Sequence, residues 1–140
     1  MKAAIHEWIG RGVVKGTAVG PAIVSQTAFS FLGDVDIVSG NVVGKSSDLF
    51  GRNIKGHVLI VPSTRGSAGA WRFLYQLKVH GTHPIAIVTQ DLPDPSVVQG
   101  AIMADIPIVV VPNLRIHGEI AQSSVLKVDG HSGVVTRDEC

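Results

Sequence analysis

The spacing of apolar residues changes near the middle of this 140-residue chain, and the change restricts the folds open to it. Up to Gly56 the apolar residues come as short β-branched runs, Val13-Val14, Ala22-Ile23-Val24, Ile37-Val38 and Val42-Val43, set apart by Gly, Asn, Ser and Asp. Gly16, Gly20 and Pro21 punctuate the first two runs, and Ser39-Gly40-Asn41 makes a turn between the next two. This half reads as short strands and loops, a small β-meander or part of a barrel.

From His57 onward, strand and helix alternate. Val58-Leu59-Ile60-Val61 is continuously apolar, as a strand covered on both faces would be. A loop over residues 62–67 leads to Ala68 to Val79, where Ala70, Phe73, Leu74 and Leu77 fall at helical spacing and Gly81 is the stop. Ile85 to Val88 is a second buried strand. Asp94-Pro95 then predicts an N-cap and first helical residue for a helix through Met103, and Ile108 to Val111 a third strand. Helices between apolar strands imply parallel pairing through right-handed crossovers. A short helix is expected over Leu114 to Ala121, then a hairpin of Val125 to Val128 with Val134 to Thr136. The predicted fold class is α/β, a small partly parallel sheet with helices and an outer β layer, in one domain spanning 1–140.

Composition narrows the function. Charged residues are 16% of the chain, against roughly 25% in an average soluble protein, which points to a face covered by something else. The net charge is +1 and like charges never run beyond a pair, so neither nucleic acid nor a membrane is the expected partner. The single cysteine, Cys140, allows no intramolecular disulfide and no Cys-rich metal site in this chain, and it reads as a bystander. No stretch approaches the roughly 18 apolar residues of a membrane span, and Met1 to Gly10 lacks a signal-peptide core, so the expected location is cytoplasmic.

The loop at 62–67 joins the carboxyl end of a buried strand to a helix N-terminus, where open α/β sheets place their ligands. Free N–H groups near Ser67, Ala68 and Gly69 would favour a carboxylate, a phosphate or an oxyanion, and Arg65 could grip a carboxylate. Ser67 has two readings, a helix N-cap or a reactive hydroxyl whose anion the helix terminus and Arg65 would favour. Ser63 is a lesser candidate, with a turn-stabilising role after Pro62 as its alternative. No Lys follows Gly66 as a phosphate-binding nucleotide loop requires, and Ser67 lacks the upstream Gly of a G-x-S-x-G elbow. His6, His57, His80, His83, His117 and His131 show no i, i+4 metal spacing, and Asp34, Asp36, Asp91 and Asp94 read as turn and capping residues. Trp71 is expected in the core, with Arg72 facing solvent or a partner.

Ser30-Phe31-Leu32-Gly33-Asp34-Val35-Asp36, Gly40 and Val42, Gly56 to Pro62, Arg65-Gly66-Ser67 and Ala104-Asp105-Ile106-Pro107 occur in the order found in the small subunit of aconitase X, which the chain resembles over nearly its whole length. The resemblance implies an aconitase-like swivelling β/β/α domain that forms half the active site of a hydro-lyase. It implies Ser67 as the base that takes a proton from carbon; Ser63, Arg65 and Gly66 are substrate-contact candidates from the position of the loop and not from the resemblance. It also implies a large partner subunit that holds an iron–sulfur cluster. The family includes cis-3-hydroxy-L-proline dehydratases, the first substrate expectation, and phosphomevalonate dehydratases, the alternative. Two features depart from the pattern: Arg65 precedes the Gly-Ser pair and Arg72 follows a turn later, and Asp34 stands where a second Gly is expected. A non-catalytic anion-binding or assembly module is the rival of another class, and a phosphotransfer swivelling domain ranks last because the loop carries Ser and not His.

Overall fold

The computed structural model describes residues 4–65, 68–114 and 120–139. The described chain runs through β1 (Ala4–Ile9), β2 (Arg11–Val14), β3 (Thr17–Val24), β4 (Val58–Val61), α1 (Ala70–His80), β5 (Ala86–Thr89), α2 (Pro95–Ala104), β6 (Ile108–Val110), β7 (Val125–Asp129) and β8 (Val134–Glu139). The strands join side by side in the order β1-β8-β7-β3-β4-β5-β6-β2. β3 links the two halves: Thr17 to Pro21 pair antiparallel with β7, and Ala22 to Val24 pair parallel with β4. β4, β5 and β6 continue in parallel, and β2 closes that edge antiparallel to β6.

Alternation along the central strands explains their unbroken hydrophobicity. Leu59, Val61, Ile87 and Ile108 face a core shared with Leu74, Leu77, Val97 and Ala101 of the two helices. Their neighbours Val58, Ile60, Val88 and Val109 face a second core, filled from the other side by Leu126, Val128 and Val135 of β7 and β8 and by Trp8 of β1. A residue on such a strand has no solvent face, so the runs are apolar, and the one polar residue in them, Thr89 at the end of β5, donates its hydroxyl to the Asp91 carbonyl. The result is a helical layer, a parallel sheet and an antiparallel β layer, the β/β/α architecture expected.

Every strand expected beyond His57 is present, with bounds within three residues, and both long helices within two. Gly81 ends α1 at φ 72°, a left-handed geometry that a Cβ would resist, and its N–H donates to the Leu77 and Lys78 carbonyls. One expectation fails. Ile37-Val38 and Val42-Val43 are not strands; the segment between β3 and β4 is a long excursion of turns, pinned by isolated bridges of Val35 with Val42 and Asn41 with Asn53. Val35 and Val42 are buried while Val38 and Val43 are exposed, so the β-branched residues pack inward singly and not as a ladder. Of the helix expected at Leu114 to Ala121, residues 115–119 lie outside the described residues, and Leu114, Ile120 and Ala121 are not helical.

One titratable group is placed unfavourably for its charged form. His83 is half-buried with Nδ1 lacking a hydrogen-bond partner, and burial, aided by nearby Lys78, lowers its pKa below 6.5. The unfolded chain then binds this proton more readily than the folded one. Stability from this group is full above pH 6.5 and falls as pH drops below it. Unfolding midpoints measured at neutral and mildly acidic pH should show a shallower acid loss for His83→Gln than for the wild type.

Candidate functional site

The loop at the carboxyl end of β4 is held residue by residue. Ser25, just past β3, donates its N–H to the Ile60 carbonyl at 2.8 Å. On the other side, the Pro62 carbonyl accepts the N–H groups of Gln90 at 3.2 Å and Asp91 at 3.1 Å, just past β5. Phe29 donates to the Ser63 carbonyl at 3.0 Å and accepts from the Arg65 N–H at 2.9 Å, adding one parallel bridge to the loop. Thr64 Oγ1 donates to Asp94 Oδ2 at 3.2 Å and accepts the Asp94 N–H at the same distance. The described part of the loop, residues 62–65, therefore lies at the carboxyl ends of parallel strands, as expected.

Of the expected site residues, Ser63 is half-buried and tied through its main chain, and Arg65 is exposed. Gly66 and Ser67 lie outside the described residues. Cys140 does too. α1 begins at Ala70 with Gly69 as its N-cap residue, so the helix starts later than expected, and the N-cap reading of Ser67 lies outside the described residues. Trp71 is half-buried and Arg72 exposed at this helix start.

Asp34, read from sequence as a turn residue, is a buried carboxylate. It is 4% exposed, accepts the Ser30 N–H through Oδ2 at 2.9 Å, and lies 3.6 Å from the Arg65 guanidinium. Arg65 is thus already paired, and its charge toward any ligand is shared with this neighbour. The two partners differ in exposure, 58% for the arginine side chain against 6% for the aspartate, which decides their energetics. Arg65→Ala should change stability by no more than about 1 kcal/mol, as an exposed ion pair is screened. Asp34→Ala should cost about 1–3 kcal/mol, because it removes a buried carboxylate and leaves the half-buried Ser30 N–H without its acceptor. Denaturant unfolding of the two variants checks that order. Asp36 keeps its expected turn role: the Ser39 hydroxyl and N–H donate to its carboxylate at 2.6 and 3.1 Å and hold its pKa below the usual value. Asp94, however, spends its carboxylate on Thr64 and leaves its own helix without a side-chain cap.

An apolar groove of about 530 Å³ runs beside α2 between Leu92, Pro95, Val98, Ile102 and Met103, with no titratable residue in its lining. It has nothing with which to move a proton, so the β4 loop remains the chemical candidate.

Comparison with known proteins places this geometry in a family. The aconitase X swivel domain model matches residues 7–137. The chain belongs to the aconitase X swivel-domain family. The aconitase X of Thermococcus kodakaraensis, solved in its holo form, superposes with a TM-score of 0.83 at 35% identity, over 93% of this chain and 96% of that one. The phosphomevalonate dehydratase small subunit of Methanocella arvoryzae is 38% identical over 90% of this chain and 95% of its own length. That of Methanocaldococcus jannaschii is 40% identical over 90% and 93%. This aconitase X swivel domain is a hydro-lyase small subunit, as the motifs implied, and the non-catalytic module is set aside.

An iron–sulfur cluster is held by several cysteine thiolates. This swivel domain has one cysteine in its whole sequence, and among the described residues no group of three or more His, Cys, Asp and Glu could hold a metal ion. Its own residues do not fit a cluster. Sequence reasoning missed Phe29 and Asp34 as the residues that fasten the loop, because each lies some thirty positions away from the residue it holds.

Proposed function

We propose that this chain is the small subunit of a two-chain phosphomevalonate dehydratase and that Ser67 is the base of its elimination reaction. The observation that carries the substrate is the end-to-end likeness to small subunits of that name, at 38% and 40% identity. The hydroxyproline substrate, first in order on the motifs alone, has no counterpart in these relatives and gives way to the phosphorylated hydroxy acid.

The chemistry is a balanced loss of water: a proton leaves one carbon, the C–O bond of its neighbour breaks, and the electron pair left behind becomes a carbon–carbon double bond. This chain's share is the proton. Ser67 follows the well-anchored residues 62–65 and precedes the N-terminus of α1, the positive end of a helix dipole that favours negative charge on an oxygen nearby. Arg65, Gly66 and Ser63 are the candidates for contact with the substrate's anionic groups. Cluster and cysteine ligands belong to the large subunit in this reading, in keeping with the single cysteine here. The purified pair assayed with phosphomevalonate and with cis-3-hydroxy-L-proline tests the assignment. Turnover of the first is expected; turnover of the second alone, or of neither, overturns it.

A further inference from the structure

The first turn of α2 touches the β4 loop segment on both sides of the residues that carry Ser67. Upstream, Asp94 and Thr64 exchange two hydrogen bonds, side chain to side chain and main chain to hydroxyl, each 3.2 Å. Downstream, the Ser96 hydroxyl accepts the Trp71 N–H at 2.9 Å and donates to the Ala68 carbonyl at 2.9 Å. Serine at the start of a helix ordinarily serves that helix's own N–H groups. Here it serves α1, which has no side-chain cap of its own.

The contact depends on how closely the two helices approach. Gly100 lies one turn beyond Ser96 on the same face of α2. A Cβ there would stand 2.9 Å from Trp71 Cα and 3.0 Å from the Trp71 carbonyl oxygen. Only glycine lets α2 lie against the backbone of α1 at this point, which brings the Ser96 hydroxyl within reach of both Ala68 and Trp71. Three features of α2, at positions 94, 96 and 100, thus converge on one short stretch of chain.

We propose that the N-terminal turn of α2 is the positioning device for the base, with Ser96 and Asp94 as positioning residues that act through the flanks at Thr64 and Ala68 to Trp71. The proposal rests on Ser67 being the base. Neither Ser96 nor Asp94 exchanges a proton with substrate. Their work is to fix the backbone at either end of residues 66–67, and small misplacements of a reacting group are costly, up to about 100-fold for roughly 1 Å.

The test uses the assembled two-chain enzyme, with Ser67→Ala as the reference. Ser96→Ala and Thr64→Val each remove a flank contact while nearly conserving volume. Each should lower kcat about tenfold or more and raise KM by a clearly smaller factor, since the substrate-contact candidates Ser63, Arg65 and Gly66 are retained while alignment of the base is lost. Ser96→Thr restores the hydroxyl and should recover most of the rate. The double variant should fall short of the product of the two single effects, as both act on one segment. If Ser96→Ala does not assemble, Thr64→Val decides. Wild-type kcat in both variants, beside an inactive Ser67→Ala, overturns the positioning role and leaves the base assignment standing. Wild-type kcat in Ser67→Ala removes the base assignment itself, and the positioning role with it.

Discussion

Ser67→Ala in the small subunit should lower kcat of the assembled enzyme by roughly 100- to 10,000-fold, the range over which a positioned general base contributes. The substitution removes one oxygen atom. The anchors of the surrounding loop are supplied by Phe29, Gln90, Asp91, Asp94 and Ser96, so assembly and the unfolding midpoint should match those of the wild type. KM should move little, because a base that acts on carbon is felt mainly in the transition state. A loss of assembly along with rate would make Ser67 structural; an unchanged rate would remove it from the chemistry.

Phe29→Ala carries the largest expected cost in stability. The ring is fully buried, stands edge-on to Phe31 with centroids 5.1 Å apart and planes at 72°, and belongs to the core on the helical side. Truncating a buried phenylalanine costs about 3–5 kcal/mol, and the lost edge-to-face contact is part of that sum. Its main chain also holds Ser63 and Arg65; alanine keeps both bonds but loses the ring that seats this backbone, so turnover should fall as well. Phe50 is the natural control. It is 55% exposed, and its replacement by Ala should stay within about 0.5 kcal/mol. Urea unfolding of both variants tests the contrast, and equal costs would contradict the placement of Phe29.

Particular residues show why part of this protein could be read from its sequence and part could not. β4, β5 and β6 were readable because two-sided burial leaves an unbroken apolar run, and α1 because Leu74, Leu77 and Gly81 mark a face and an end. Val42 was misread because β-branched residues favour strands only where a neighbouring strand is present to pair with, and here Val42 has an isolated bridge to Val35 and main-chain bonds to the turn residues Gly51 and Arg52. The site loop was found from its position at a strand end. Its support was not, since Asp34, Ser96 and Gly100 act across tertiary contacts that leave no local pattern. The role of Ser96 left no local signal for the same reason: a serine in the first turn of α2 reads as a cap for its own helix, whereas it meets the Trp71 N–H of α1.

The central claim, that this chain supplies a part of the active site the large subunit lacks, is tested most directly by reconstitution. Large subunit at fixed concentration would be titrated with this chain while phosphomevalonate dehydration is followed. The rate should rise from near zero and level off at a stoichiometric ratio. Ser67→Ala should compete for the same binding site without restoring the rate. Full turnover by the large subunit alone, or none at any ratio of the two chains, would contradict the account.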